Sequence, residues 1–302
     1  MAHPLSICAP MKATLVHKVP KLQMMRIEEP DLDARLRERN PGLFQSLLEA
    51  EQIQDQSLRT VIEAFESANY RVEVLAHMDY TGPSEDTDLV IVVGGDGTVL
   101  DVSHSTLSTP LIAINSDPTR SVGIFCACAA DGAKEAAERF RSGAAVTTTL
   151  HRMAVRLNGV SYPIPVMNDV LVTNLHPAMM SRYEIVAGEN IERHSSSGMW
   201  ISTPAGSTGG IRSAGGTVLP ISGRMLQYLV REPFTPRGVG YRFGRGVRHL
   251  YEGLSLHSLM TGGRIYIDGP FHELPFEMGD TLEIIEGPTL NILDIHSELR
   301  GR

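Results

Sequence analysis

Gly94-Gly95-Asp96-Gly97-Thr98 follows directly on the apolar run Asp88 to Val93. Consecutive glycines let the backbone turn tightly and approach a ligand, because no Cβ stands in the way. The run before them suits a strand buried on both faces. The turn is expected to open a helix at Thr98 to Leu107. Free N–H groups and the positive end of the helix dipole would then face the turn, which suits phosphate. A carboxylate in the middle of that turn repels phosphate unless it has a task. Asp96 has two available: to take a proton from an attacking hydroxyl, or to hold a magnesium ion that screens the phosphates. The plain alternative is a Gly-Asp-Gly connection between strand and helix. The pattern G-x-x-x-x-G-K-[ST] is absent, which excludes a P-loop. The absence of G-x-G-x-x-G argues against a hydride-transferring dinucleotide fold.

The elements that must position this turn alternate in type. Met11 to Val19 reads as a strand. Leu58, Val61, Ile62 and Phe65 recur with helical spacing, and Asn69 can end that helix. Tyr70 to Leu75 and Leu111 to Ile114 read as strands, and Asp131 to Arg141 as a helix closed by Gly143. This alternation implies βαβ units and a doubly wound parallel sheet. The charged stretch Lys21 to Pro41, with Pro30 and Pro41, reads as an insertion or mobile segment near the active site. After Ala145 the texture turns to β. Arg152 to Leu157, Val166 to Val172, Arg264 to Ile267, Leu282 to Ile285 and Leu290 to Ile295 all read as strands. The expected fold is thus an α/β N-terminal domain over residues 1–143 and a β-rich C-terminal domain over 144–287. Residues 288–302 form a C-terminal segment.

Composition narrows the function classes. The 302 residues exceed one ordinary core; hydrophobic residues are 42% and charged residues 21%, as in globular proteins. A formal net charge of −8 disfavours nucleic acid and anionic membranes as partners, so an anionic ligand must be held by local donors. No apolar run reaches bilayer length, and the N-terminus lacks the marks of a signal or transit peptide. Three cysteines, Cys8, Cys126 and Cys128, make no disulfide framework and suit a reducing, cytoplasmic setting. Cys126 and Cys128 read as small core thiols. The eleven histidines show no ligand spacing such as H-E-x-x-H. Arg242, Arg245 and Arg248, among the glycines of Arg237 to Gly253, fit a solvated loop, or else an interface or phosphate-facing one.

The Gly-Gly-Asp-Gly-Thr turn resembles the signature shared by NAD kinases, diacylglycerol and sphingosine kinases, and phosphofructokinases. Two further segments resemble NAD kinases alone. Asn168-Asp169 within Val166 to Val172 is similar to their Asn-Glu strand motif. Ser197 to Thr208 is similar to their Asp-Gly-Leu-Ile-x-Ser-Thr-Pro-Thr-Gly-Ser-Thr segment. Asp268-Gly269 matches their late Asp-Gly turn, and the matches span about Val90 to Gly269. Asn115-Ser-Asp-Pro-Thr-Arg-Ser121, with Ser197 in place of Asp, resembles the mitochondrial-type branch. Two departures concern ligand contact. Asp169 stands where Glu is usual, and Gly209-Gly210 replaces an Ala-aromatic pair.

The resemblance implies a kinase that moves a phosphate from ATP to the adenosine-ribose 2′-hydroxyl of NAD. That hydroxyl is a weak nucleophile and needs a base or close positioning, the part that falls to Asp96. Gly94, Gly95, Gly97 and Thr98 would cradle phosphates. Asn168 has the donor and acceptor to read an adenine edge, and Asp169 can accept from two ribose hydroxyls. Thr203, Ser207 and Thr208 offer hydroxyls to adenine and phosphate. Ser197 would lie near the nicotinamide half, and Asp268 would hold a ribose, unless it only makes a hairpin turn. Asn115, Asp117 and Arg120 would bind NAD or organise the cleft, their plain alternative being an Asx-Pro turn. The guanidinium fork of Arg120 suits phosphate. Magnesium, arriving with ATP, is the one metal expected. By resemblance the last residues return to the first domain, the active site lies between the domains, and the chain forms a homodimer or homotetramer. Two rivals remain: a lipid or sugar kinase sharing the turn, and a non-catalytic dinucleotide-binding sensor.

Overall fold

The computed structural model describes residues 9–29, 31–235, 240–270 and 272–295. Cys8, Pro30 and Arg237 lie outside the described residues, as does the C-terminal segment beyond Ile295. The chain divides into two compact units. One holds the described residues up to Thr148 and those from Asn291 onward; the other holds Thr149 to Leu290.

The first unit is an α/β layer structure, as its alternating apolar runs require. Its strands are β1 (Met11–His17), β2 (Tyr70–Ala76), β3 (Leu89–Gly94), β4 (Leu111–Asn115), the short β5 (Cys128–Ala129) and β6 (Thr147–Leu150). A late strand, Leu290–Leu293, joins them, in the order β2-β1-β3-β4-late strand-β6, with β5 also on β4. β2, β1, β3, β4 and the late strand run parallel, with Ile292 opposite Leu111. Every residue of β3 is buried. Leu89, Ile91 and Val93 pack with Val61 and Phe65 of the long helix α3 (Pro41–Ser67) and with Ala133, Ala136 and Ala137 of α5 (Ala133–Arg141). Val90 and Val92, which point the other way, are equally buried. Two-face burial explains why the run shows no alternation. Each such Val or Ile contributes about 1.5–3 kcal/mol.

Lys21 to Pro41, expected to be an insertion or mobile segment, is helical over most of its length. It forms α1 (Lys21–Glu28) and α2 (Leu32–Arg39). Leu22 and Leu32 are buried against Phe44 of α3, with Met25, Leu36, Leu47 and Leu48 beside them. Pro41 opens α3 rather than breaking a helix, and Asn40 caps it by accepting from the Leu43 N–H at 3.1 Å. Two apolar residues from each short helix dock it on α3, while the charges stay in water.

The second unit is a β-sandwich. Its strands are β7 (Met153–Leu157), β8 (Val160–Ser161), β9 (Asp169–Asn174), β10 (Ser181–Ala187), β11 (Asn190–Ser196), β12 (Gly198–Ser202), β13 (Met225–Arg231), β14 (Arg245–His249), β15 (Leu254–Ser258), β16 (Gly263–Ile267), β17 (His272–Pro275) and β18 (Thr281–Glu286). One six-stranded sheet has the order β11-β10-β15-β18-β7-β8, and the other β14-β13-β12-β9-β16-β17. Their inward residues, Val155, Val170, Val172, Met199, Ile201, Ile265 and Ile267 among them, form one core. The fold class expected from the sequence is therefore the fold observed. The strand at Leu290, within the 288–302 segment expected to return to the first domain, lies in the first unit's sheet.

Candidate functional site

In the first unit the glycine turn sits where β3 ends and α4 (Asp96–Ser105) begins. The helix starts two residues before the expected Thr98. Gly95 is its N-cap, its carbonyl accepting from Thr98 N–H at 3.0 Å and Val99 N–H at 3.2 Å. Asp96 is thus the first helical residue, where the dipole favours a carboxylate. One of its oxygens accepts from the Phe125 N–H at 3.0 Å. No other hydrogen bond to this carboxylate is found among the described residues. Thr98 packs under Gly94, and Ser121 lies against Gly95: a Cβ on Gly95 would come within 2.6 Å of the Ser121 hydroxyl oxygen. Either glycine replaced by a larger residue would distort the turn.

Gly95, Asp96, Gly97, Thr98, Asp117 and Arg120 line one cavity of about 470 Å³. Lys18, Lys21, His77 and Asp101 line it too; they carry no motif and converge only through folding. Gly94 and Asn115 lie just behind, paired across β3 and β4. From α3, Gln54 donates to the Val93 carbonyl at 3.2 Å and Ser57 to the Ser116 carbonyl at 2.7 Å, fixing the floor. Asn115 organises its own loop. Its amide donates to the Ser121 carbonyl at 3.0 Å and its oxygen accepts from the Asp117 N–H at 3.2 Å. Asp117 accepts from Thr119 and, at 2.8 Å, from Arg120. Burial alone would raise its pKa, but these bonds outweigh it and hold the carboxyl below its ordinary range. The Arg120 fork, read as free for phosphate, is shared between Asp117 and Glu49.

In the second unit Asn168, Asp169, Thr203 and Asp268 form one hydrogen-bonded ledge at the head of β9, with Ser207 nearby in the chain. Asp268 has a left-handed backbone, φ 50°, at the turn after β16. Its carboxylate accepts from the N–H groups of Met167 at 2.8 Å, Asn168 at 2.8 Å and Asp169 at 2.9 Å. That carboxylate thereby braces the Asn-Asp segment. Thr203 is likewise committed: fully buried, it donates to the Met167 carbonyl at 2.5 Å and accepts from the Gly206 N–H at 3.1 Å. Ser207, also fully buried, bonds the Pro204 carbonyl at 2.7 Å and the Leu219 N–H at 2.9 Å. Neither hydroxyl is presented outward. Gly206 presses on the Asn168 carbonyl so closely that no Cβ fits.

Asn168 donates to Asp169 at 3.1 Å. Asp169 is 5% exposed, and burial with the nearby charge of Asp268 pushes its pKa up to about 7. Arg152, which no motif marks, is fully buried, donating to the Pro288 and Thr289 carbonyls at 2.7 and 3.1 Å. Burial pulls its pKa down to about 10, opposed by Asp268. Ser197 and Thr208 are half-buried and apart from this knot, and their hydroxyls have no hydrogen-bond partner among the described residues.

The class defined so far is an α/β nucleotide-handling unit, with a phosphate-suited turn at the carboxyl end of its parallel strands, joined in one chain to a β-sandwich with a polar ledge. A model of the ATP-NAD kinase N-terminal domain matches residues 43–141. A rice protein named probable NADH kinase is 36% identical over 238 residues, 71% of this chain and 73% of that one. An Arabidopsis thaliana NADH kinase is 30% identical over 290 residues, 87% of this chain and 91% of that one. The crystal structure of an Archaeoglobus fulgidus NAD kinase in complex with ATP superposes with a TM-score of 0.65 at 19% identity, covering 96% of this chain and 95% of that one. The chain belongs to the NAD kinase family.

Proposed function

We propose that this protein is an NAD kinase that transfers the terminal phosphate of ATP to the adenosine-ribose 2′-hydroxyl of NAD, giving NADP and ADP. The observation that carries the reading is Asp96, fixed through one oxygen by the Phe125 N–H at the mouth of a glycine-turn cavity. In the proposed step the 2′-oxygen bonds the γ-phosphorus as the bond to the β-phosphate oxygen breaks. The hydroxyl proton passes to Asp96, and ADP leaves. Gly95, Gly97 and Thr98 shape the phosphate site, with Lys18 and Lys21 supplying positive charge. Asn168 and Asp169 receive the adenosine, held in register by Asp268 and Thr203. Among the described residues no cluster of three or more His, Cys, Asp or Glu suits a tightly held metal. Magnesium would enter with the phosphates of ATP, keeping its waters, and its charge would offset theirs.

The test replaces Asp96 with Asn. With magnesium, ATP and NAD, coupled to an NADP-specific dehydrogenase, turnover should fall about 10²–10⁴-fold while NAD still binds. Unchanged turnover would remove Asp96 as the base, and NAD binding without NADP from the unaltered protein would favour a sensor. NADH belongs in the same assay, since the two plant relatives carry that name. We further propose a homodimer or homotetramer, to be read from its mass in light scattering. A cytoplasmic setting is supported by the free thiols of Cys126 and Cys128, and no described helix is long and apolar enough to cross a membrane.

A further inference from the structure

Gly210 stands where the family pattern has an aromatic residue, and the structure places another ring against that position. A Cβ on Gly210 would lie 3.1 Å from the indole of Trp200, and three indole carbons lie within 3.4 Å of it. Trp200 is on β12, two residues after Gly198. It points away from the sandwich core, which takes its neighbours Met199 and Ile201. On the same outer face Leu171 of β9 pairs with Trp200, and Tyr266 of β16 pairs with Leu171. Adjacent strands lie about 4.8 Å apart, so the two rings stand roughly 10 Å apart across the shorter Leu171. Gly269 and Pro270 close the slot, and Asp169 forms its polar end; the cavity measures about 330 Å³. An apolar slot of this size with one buried carboxyl at its end has the make-up of a subsite for one flat ring carrying hydroxyls. Arg231 lies 5.8 Å from the indole centre and adds positive charge beside it.

We propose that Trp200 is a specificity-determining residue for the acceptor: its indole walls this slot and packs against a flat nitrogen heterocycle of the dinucleotide, while Asp169 takes the hydroxyls of the attached ribose. The ring absent at position 210 is thereby supplied from position 200. The proposal rests on the kinase reading but can fail separately from it. The two positions share one space, so their substitutions must couple. Returning the ring to its usual place should restore what removing Trp200 loses.

Trp200 is the single tryptophan of the chain, so its emission reports the slot directly. NAD should change that emission saturably. Titration with 5′-AMP and with nicotinamide mononucleotide identifies which ring enters, since only the matching half should reproduce the change. Trp200→Ile should raise KM for NAD about 10- to 100-fold with little loss of kcat, as expected when base–aromatic packing is lost. Gly210→Tyr alone should also weaken binding, because the new ring meets the indole. Trp200→Ile with Gly210→Tyr should return KM to within a few-fold of the original, and Trp200→Phe should keep most of the affinity and the fold. NADP formation with no emission change, and with KM unaltered in Trp200→Ile and Trp200→Phe, would overturn the subsite and leave the kinase standing. An emission change with NAD but no NADP would leave the subsite and overturn the kinase.

Discussion

Asp169 is a buried carboxyl whose pKa is raised to about 7. Burial is the larger cause and the charge of Asp268 the second. Its folded pKa lies above its unfolded one, so the folded protein binds more protons between about pH 4 and 7. Stability from this group is thus present at the acid side and is lost as pH rises through about 7. Asp169→Asn should flatten that fall; melting curves at about pH 5 and 8 test it, and an unchanged slope would mean another group is responsible. Ligand binding has the opposite sign. Hydroxyls that donate to Asp169 favour its ionised form. NAD affinity, measured by calorimetry, should therefore rise as pH passes through about 7, and the rise should vanish in Asp169→Asn. Thiol chemistry offers a second check at this scale. Burial, first among the causes, pushes Cys128 up to about 11 and Cys126 higher still. Both should resist alkylation of the folded protein at neutral pH.

Among the elements, the approach to β9 is held by side chains rather than by sheet pairing. Asp268 alone satisfies three successive N–H groups there. Asp268→Ala would leave them without that acceptor, and should cost about 1–3 kcal/mol in urea unfolding along with loss of NAD affinity. A variant of unchanged stability would show that water replaces the carboxylate at no cost. Gly206→Ala attacks the same ledge from the other side, because its Cβ must displace the Asn168 carbonyl. It should impair adenosine binding even where the fold survives.

For the molecule as a whole, the chain leaves its first unit, builds the sandwich, and comes back. The late strand Leu290–Leu293 pairs with β4 through Ile292 and Leu111. Asp294, just after it, bonds Arg139 of α5 at 3.0 and 3.1 Å and accepts from the Val146 N–H at 2.8 Å. The first unit therefore depends on residues that follow the sandwich in the chain. A chain ending at Thr289 should lose hydrogen-exchange protection along β4 and melt at a lower temperature. Protection equal to that of the full chain would show that the returning strand is dispensable.

By itself the sequence determined the fold class, the glycine turn with Asp96 at its centre, and the Asn168-Asp169 and Ser197–Thr208 segments. Those features are local: a buried parallel strand is a continuous apolar run, and a turn that admits no side chain must be glycine. It did not determine that Lys21 to Pro41 folds, since two helices docked by a few leucines look like a charged linker until their partner Phe44 is in place. Only tertiary structure decided which polar groups are left to meet a ligand. Asp268, Thr203 and Arg120 carry the right chemistry, yet backbone groups and neighbouring carboxylates have claimed them. Tertiary structure likewise brought Trp200 onto Gly210 and buried Arg152, which no motif marks. The physical reason is that residue type fixes what a side chain can donate or accept, whereas burial and neighbours fix what it has left to offer.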